Sequence, residues 1–140
     1  MSAYLDASIL VPLFLNDPFS QRAEAFLSLR KPVAIVSDFA AAEFSSVLNR
    51  RVRTKETTEA EARSALQDFD VWIEETAQSV ECDPADVRQA DRFLRRLNLT
   101  LRAPDAIHIA TAERIGAELA TFDVRMIASA RALGVAVAAA

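Results

Sequence analysis

Short apolar runs alternate with longer amphipathic segments along this chain. Apolar runs of about four to eight residues, bounded by turn or capping residues, are typical of buried strands. The pattern predicts strands at residues 3–6, 33–36, 78–81, 118–121 and 135–138. The two glycines, Gly116 and Gly134, each end a helix-like segment just before one of the last two runs, where a helix C-cap favours glycine.

The segments between the runs have the spacing and the capping residues of helices. Thr58 and Glu61 form a Thr-x-x-Glu capping box, and Asp83 precedes a proline at a first helical position. Helices are predicted at residues 20–29, 37–53, 58–76, 83–97, 103–115 and 123–133, and the element order places one more after the first strand. Strands separated by helices indicate a mainly parallel sheet covered on both faces. The predicted fold is therefore α/β, with a central sheet of four to five strands flanked by helices.

The composition fits one globular domain. The chain has 140 residues, 51% of them hydrophobic, which predicts a single domain over residues 1–140. No apolar run reaches the roughly 18 residues of a membrane span, and no signal-peptide pattern opens the chain, so we expect a cytoplasmic protein. The single cysteine, Cys82, is expected to pack as a small hydrophobe. A net charge of −4 argues against a broad basic surface but does not exclude nucleic acid as a ligand.

Four acidic residues occupy positions that call for an explanation. Asp6 interrupts the apolar run YLDASILV, where an ionised carboxylate without partners would be costly. Asp6 and Asp123 each follow a predicted strand, Asp105 opens a helix, and Glu43 lies one to two turns into the helix after the second strand. Sites in open α/β sheets form where strand ends meet the following loops. The three aspartates have a simpler explanation as helix N-caps, but Glu43 lies on a mostly apolar helix face.

These four carboxylates together indicate a divalent metal site. Carboxylates that converge on one sheet edge repel one another and raise each other's pKa values. A divalent cation removes that penalty, and ligands that are all oxygen favour Mg²⁺ or Mn²⁺ over zinc. Such ions are typical of phosphodiester chemistry.

The motifs YLDASILV, AAEF, PDAIHIATA and ATFD resemble, in this order, those of PIN domains, in particular the small VapC-type toxins. The resemblance covers nearly the whole chain and implies a three-layer α/β/α fold. It also implies an endoribonuclease that depends on Mg²⁺ or Mn²⁺ and leaves a 5′-phosphate and a 3′-hydroxyl. The family's acidic quartet, which binds metal and acts in catalysis, and its two supporting hydroxyls match Asp6, Glu43, Asp105, Asp123, Ser8 and Thr121.

The same resemblance implies partners. They are the RNA substrate, a small antitoxin whose C-terminal segment occupies the acidic groove, and a second copy of the chain. Candidate surfaces for a homodimer are the apolar stretch ILVPLFL (9–15) and the helices between residues 37 and 76.

Several further residues have a predicted place near this chemistry. Arg50, seven residues after Glu43 on the same helix face, is a candidate contact for a substrate phosphate, and Arg102 is a second candidate. His108 is expected to be a packed or hydrogen-bonded histidine rather than a metal ligand. Trp72 and the phenylalanines are expected in the core rather than on a base-stacking surface.

Two other kinds of α/β domain with acids at the first strand do not fit this sequence. A haloacid-dehalogenase phosphatase needs a second aspartate two residues after the first, where this chain has Ser8. A response-regulator receiver needs paired acids at the first strand and a lysine after the last, and neither is present. The remaining alternative is a non-catalytic PIN-like module that binds RNA or protein and holds a structural divalent ion.

Overall fold

The first strand of the sequence lies inside the sheet. In the computed structural model, which describes all residues 1–140, β1 (Ser2–Leu5) pairs with both β2 (Val33–Ser37) and β4 (Glu118–Ala120). The remaining strand, β3 (Gln78–Val80), pairs with β2. All pairings are parallel and the order is β3-β2-β1-β4. The prediction of a parallel sheet is confirmed, with four strands.

Seven helices connect and cover these strands. They are α1 (Ala7–Phe14), α2 (Ser20–Arg30), α3 (Asp38–Arg53), α4 (Glu59–Glu75), α5 (Pro84–Leu94), α6 (Ala103–Ile115) and α7 (Val124–Ala132). The capping box of Thr58 and Glu61 precedes α4, and Asp83 caps α5, as the sequence predicts. Gly116 ends α6 in the left-handed region at φ 68°. None of the helices combines the length and the apolar character that crossing a membrane requires.

The two faces of the sheet bury different helices. Successive side chains of a strand point to opposite faces. Ala3 and Leu5 of β1 therefore pack in a core with residues of α1 to α4, including Phe44 of α3. Tyr4 packs on the other face with residues of α5 to α7, among them Ile109 of α6. This is the three-layer arrangement that the sequence predicts.

The prediction of a fifth strand at residues 135–138 is wrong, because only an isolated bridge between Leu119 and Val137 forms there. Leu119 of β4 donates its N–H to the carbonyl of Ala136, and its own carbonyl accepts from Ala138, both at 2.8 Å. The next residue, Ala120, directs its carbonyl the other way, to the N–H of Asp6 after β1. A three-residue strand thus has room for one outer bridge and no ladder.

Most of the apolar stretch ILVPLFL packs inside this chain. It lies in and just after α1, where Ile9, Leu10 and Val11 are buried in the first core. Leu13 and Phe14 pack against the same core. The stretch is apolar because it fills the space between the sheet and α4, which leaves the helices between residues 37 and 76 as the remaining candidate surface.

An ion pair between a buried carboxylate and a half-exposed guanidinium joins α5 to α6, and nothing in the local sequence marks it. Asp86 is 1% exposed and accepts hydrogen bonds from the Arg114 guanidinium at 2.7 and 3.0 Å and from the Thr111 hydroxyl at 3.0 Å. Burial raises the pKa of Asp86, but these hydrogen bonds and one from the Asp83 N–H outweigh that effect and hold the pKa below its ordinary value. The pair fixes the helix that carries Asp105.

We expect Arg114→Met to lower the free energy of unfolding by roughly 2–4 kcal/mol at pH 7, because Asp86 would stay buried without its cation. The pKa of Asp86 is lower in the folded chain than in the unfolded chain, where it is about 3.9. The pair therefore stabilises the fold above that pH, and its contribution is lost as pH falls through the folded pKa. We therefore expect the difference in the free energy of unfolding between wild type and variant to become smaller from pH 7 to pH 3. Urea unfolding followed by Trp72 fluorescence measures this difference.

The matched control for this experiment is Arg63→Met. Arg63 pairs with Glu59 one turn earlier on α4, and the two side chains are 73% and 68% exposed. Breaking an exposed pair of this kind costs less than about 0.5 kcal/mol. The expectation would be contradicted if the two variants lost the same free energy of unfolding. It would also be contradicted if the difference between wild type and Arg114→Met did not change with pH.

Candidate active site

The candidate site lies at the edge of the sheet where the strands end. Because all strands are parallel, the last residues of β1, β2 and β4, namely Leu5, Ser37 and Ala120, reach the same edge. The strand order reverses at β1, with β2 and β3 on one side and β4 on the other. Open α/β sheets bind their ligands in the crevice at such a switch point. Asp6 follows β1 directly and therefore lies at this crevice.

The carboxylate of Asp6 is buried and held by hydroxyl groups. Asp6 is 4% exposed. One oxygen accepts from the Ser8 N–H at 3.1 Å and from the Ser8 hydroxyl at 2.6 Å, and the other accepts from the Thr121 hydroxyl at 2.7 Å. Burial raises the pKa of Asp6, and the hydrogen bonds from Ser8 and Thr121 oppose that shift without cancelling it. The pKa of Asp6 is therefore raised mainly because burial removes water from its carboxylate, and not, as predicted, because the other acids repel it.

The same two hydroxyls connect Asp6 to the loop that carries Asp123. The oxygen of Thr121 accepts from the N–H of Asp123 at 3.1 Å, and the oxygen of Ser8 accepts from the N–H of Phe122 at 2.9 Å. Ser8 and Thr121 therefore lie where the sequence analysis predicts supporting hydroxyls. Asp123 itself caps α7, with one carboxylate oxygen accepting backbone hydrogen bonds.

Asp105 reaches this edge from the first turn of α6. That helix runs back toward the start of β4, so its N-terminus lies at the edge where the strands end. Asp105 is buried, and its carboxylate lies 3.4 Å from Arg102 Nε. Asp105 and Asp123 line one depression of about 280 Å³, together with Arg102 and Arg125. Arg125 is a cation that the sequence analysis missed, although it stands two residues after Asp123.

Glu43 is held by a hydrogen-bonded chain that crosses the interior. His108, which is 1% exposed, bonds Glu43 through Nε2 and the Tyr4 hydroxyl through Nδ1 at 2.6 Å. Tyr4 also bonds the Ser37 hydroxyl at 2.7 Å, and Ser37 accepts from the N–H of Ala40. An ionised Glu43 only accepts, so Nε2 of His108 carries the proton between them. The prediction of a hydrogen-bonded His108 is confirmed.

Tyr4 is the central member of these hydrogen-bonded side chains, and it was not among the predicted site residues. Burial raises the pKa of Tyr4, and the charges of Asp6 and Glu43 raise it further, although the hydrogen bond with Ser37 opposes the shift. The Tyr4 hydroxyl therefore stays protonated at neutral pH. One feature of the sequence could have identified it. Tyr4 lies in an apolar strand, and a buried tyrosine hydroxyl requires a hydrogen-bond partner.

The two predicted phosphate contacts differ in their surroundings. Arg50 is exposed, takes part in none of the ion pairs, and lines a depression with Ser8 and Asp123. Arg102 lies beside Asp105, so its charge is partly engaged. Arg50 is thus the freer of the two to bind an anion at the acidic edge.

The four acids reach one edge but do not form a compact cluster. No group of three His, Cys, Asp or Glu side chains has the arrangement needed to hold a metal ion. Glu43 is engaged by His108, Asp105 lies beside Arg102, and Asp123 caps a helix. Mg²⁺ usually keeps several waters and takes only one or two carboxylates directly. The donors therefore fit a hydrated divalent ion better than one enclosed by all four carboxylates.

Comparison with known proteins agrees with this fold and with the order of the motifs. The family model described as "PIN domain" matches residues 3–132. This chain belongs to the PIN domain family. Ribonuclease VapC46 of Mycobacterium tuberculosis (strain ATCC 25618 / H37Rv) is 34% identical to this PIN domain over 139 residues, which cover 97% of this chain and 95% of the relative.

Solved structures have the same fold as this PIN domain. The sarcin–ricin-loop-cleaving toxin VapC20 of Mycobacterium tuberculosis superimposes with a TM-score of 0.74 and 19% identity over 91% of this chain and 95% of its own. VapBC2 of Rickettsia felis, bound to a DNA fragment from its promoter, has a TM-score of 0.70 and 16% identity over 99% and 98%. At these identities the similarity shows the fold alone.

We expect Asp6→Asn to raise the free energy of unfolding of this PIN domain in EDTA at pH 7. Asparagine caps a helix as well as aspartate does, and it carries no charge to bury. Because the pKa of Asp6 is higher in the folded chain, wild type loses stability as pH rises from the unfolded pKa of about 3.9 to the folded one. The advantage of the variant is therefore absent near pH 3 and grows with pH, as urea unfolding measures.

Asp70→Asn serves as the control, because Asp70 is exposed on α4. We expect its stability to follow that of wild type at every pH. An Asp6→Asn variant that is less stable than wild type in EDTA would contradict the expectation.

Proposed function

We propose that this protein is a divalent-metal-dependent endoribonuclease and the toxin of a toxin–antitoxin pair. The observation that carries the proposal is the buried carboxylate of Asp6, fixed by the hydroxyls of Ser8 and Thr121 at the switch point of the sheet. A buried carboxylate whose only fixed donors are neutral groups keeps an affinity for a cation. The 34% identity to a protein named a ribonuclease supports RNA as the substrate.

Asp6 and Asp105 are the proposed principal metal ligands, with Mg²⁺ or Mn²⁺ as the ion. Both lie at the acidic edge and both are buried, so their charges are poorly screened by water. When bound, the metal ion supplies a more acidic water and a positive charge beside the phosphate. Ser8 and Thr121 keep the carboxylate of Asp6 in one orientation throughout.

The remaining residues position water and substrate. Glu43, oriented by His108, accepts hydrogen bonds from the attacking water, and Asp123 accepts from further waters at the same edge. Arg50 and Arg102 contact phosphates on either side of the bond that is cut. Attack in line with the leaving oxygen gives a 5′-phosphate and a 3′-hydroxyl.

The proposed protein partner is an antitoxin. The solved relatives include complexes described as VapBC2 and as a toxin–antitoxin complex from Klebsiella pneumoniae. We propose that the C-terminal segment of an antitoxin enters the acidic groove, where a basic residue would neutralise the carboxylates. A homodimer would use the helices between residues 37 and 76, because the stretch ILVPLFL is mostly buried.

Cleavage of total RNA tests this function. Purified protein freed of any antitoxin is expected to give discrete products with Mg²⁺ or Mn²⁺ and none with EDTA. Asp6→Asn and Asp105→Asn should each reduce the rate by at least about 100-fold, since each removes a charge that holds the metal. Asp70→Asn is the matched control and should cut like wild type.

Three results of this assay would contradict the proposal. Equal cutting by wild type and both site variants would identify a contaminating nuclease. Cutting that persists in EDTA would exclude the metal. Folded wild type that is silent with every RNA would favour the non-catalytic module.

Metal binding can be measured without activity by thermal unfolding. A metal at ten times its Kd stabilises the folded state by about 1.4 kcal/mol, which corresponds to a rise in Tm of about 4 °C for a chain of this size. We expect this rise for wild type and Asp70→Asn with Mn²⁺ or Mg²⁺, and little or none for Asp6→Asn. A rise that is the same in Asp6→Asn would remove Asp6 from the ligand set.

A further inference from the structure

A depression of about 370 Å³ adjoins the acidic edge on the side of α2 and α3. Ser8 and Asp123, which belong to the candidate active site, form part of its wall. Phe19, Phe122 and Arg50 line another part, and Val11 contributes to its apolar surface. An occupant of this depression would therefore lie beside whatever is bound at the acids.

Two aromatic rings of this depression are stacked on each other, and one of them, Phe19, is exposed. Phe19 and Phe122 are stacked with their ring centroids 5.1 Å apart and their planes inclined by 22°. The Arg22 guanidinium lies 4.6 Å from the centroid of Phe122, and it also donates to the carbonyl of Ala140 at 2.8 Å. The same guanidinium lies 5.6 Å from the centroid of Phe19, so Arg22 contacts both rings and helps to hold them in place. Phe19 nevertheless remains 41% exposed, which contradicts the prediction that the phenylalanines all lie in the core.

The charge in the depression complements a phosphate. Two arginines that adjoin in sequence line it, and they are used differently. Arg51 pairs with Asp17 at 3.0 Å and is mostly buried, so its charge is compensated. Arg50 is exposed and has no such partner. An aromatic surface next to an uncompensated arginine matches the two parts of a nucleotide, a flat base and an anionic phosphate.

We propose that this depression binds the unpaired nucleotide next to the scissile phosphate, with its base stacked on Phe19 and a phosphate on Arg50. The inference rests on the proposed function, because it needs RNA at the acidic edge. Single-stranded RNA is commonly held by bases stacked on aromatic side chains and by arginines along the backbone. Stacking accepts every base, so the depression selects an unpaired nucleotide and not a particular sequence.

Binding of a fluorescein-labelled single-stranded RNA that contains the cleavage position of wild type tests this inference. All proteins carry Asp105→Asn, so the RNA stays intact, and Kd is measured by fluorescence anisotropy. We expect Phe19→Ala to weaken binding about tenfold, Phe19→Leu to do the same, and Phe19→Tyr to bind normally, because the aromatic face and not the apolar bulk is required. Arg50→Gln should lower the slope of log Kd against log salt by about 0.7, the loss of one phosphate contact.

A scan of abasic positions locates the stacked base. Each RNA lacks one base in turn, and one position beside the cut is expected to cost the Phe19-containing protein about tenfold. The same abasic RNA should bind Phe19→Ala no more weakly than the intact RNA does, since the two changes remove one contact. Leu97 is an exposed apolar residue that does not line the depression, so Leu97→Ala is the control and should bind like its parent.

The outcomes separate the subsite from the function. Wild type that cuts RNA, together with unchanged binding by Phe19→Ala, would overturn the subsite and leave the surface to a protein partner. Wild type that neither cuts nor binds RNA would overturn the proposed function and the inference with it. A loss in Phe19→Ala that Phe19→Tyr does not restore would show that stacking is not the cause.

Discussion

The buried carboxylate of Asp6 is the group on which the arrangement of this protein depends. A charge at the end of a central strand is tolerated only where donors meet it, and here the donors come from the two ends of the chain. Ser8 lies in the helix directly after β1, and Thr121 follows β4. Ser8 reaches Asp6 locally, but Thr121 can reach it only if β4 pairs beside β1 in parallel register. The fold and the site therefore impose the same requirement.

A comparison of Asp6 with Asp86, which is also buried, shows how the partner of a carboxylate decides its role. Asp86 meets a full positive charge from Arg114, and the pKa of its carboxyl falls. Asp6 meets only hydroxyls and backbone, and the pKa of its carboxyl rises. The first carboxylate is already neutralised and serves the packing of α5 on α6. The second remains uncompensated, which suits it to receive a cation from solution.

Much of this could be predicted because it depends on local patterns. Apolar runs, capping boxes and the positions of the four acids after strands are visible within a few residues of sequence. The pairing of Asp86 with Arg114 and the chain from Ser37 through Tyr4 to His108 depend on residues far apart in sequence, so no local signal marks them. The exposure of Phe19 was missed for the same reason. Its stacking partner, Phe122, lies at the other end of the chain.

The central position of β1 also determines when the acidic edge comes into being. Asp6 leaves the ribosome among the first residues, but Thr121 follows it by 115 positions. Parallel pairing across such a separation forms late, because a long loop must close before the strands meet. A nascent or truncated chain that stops before β4 has neither Thr121 nor Asp123 at the edge. The acidic edge, and with it any activity that needs Thr121 or Asp123, is therefore complete only when synthesis is nearly finished.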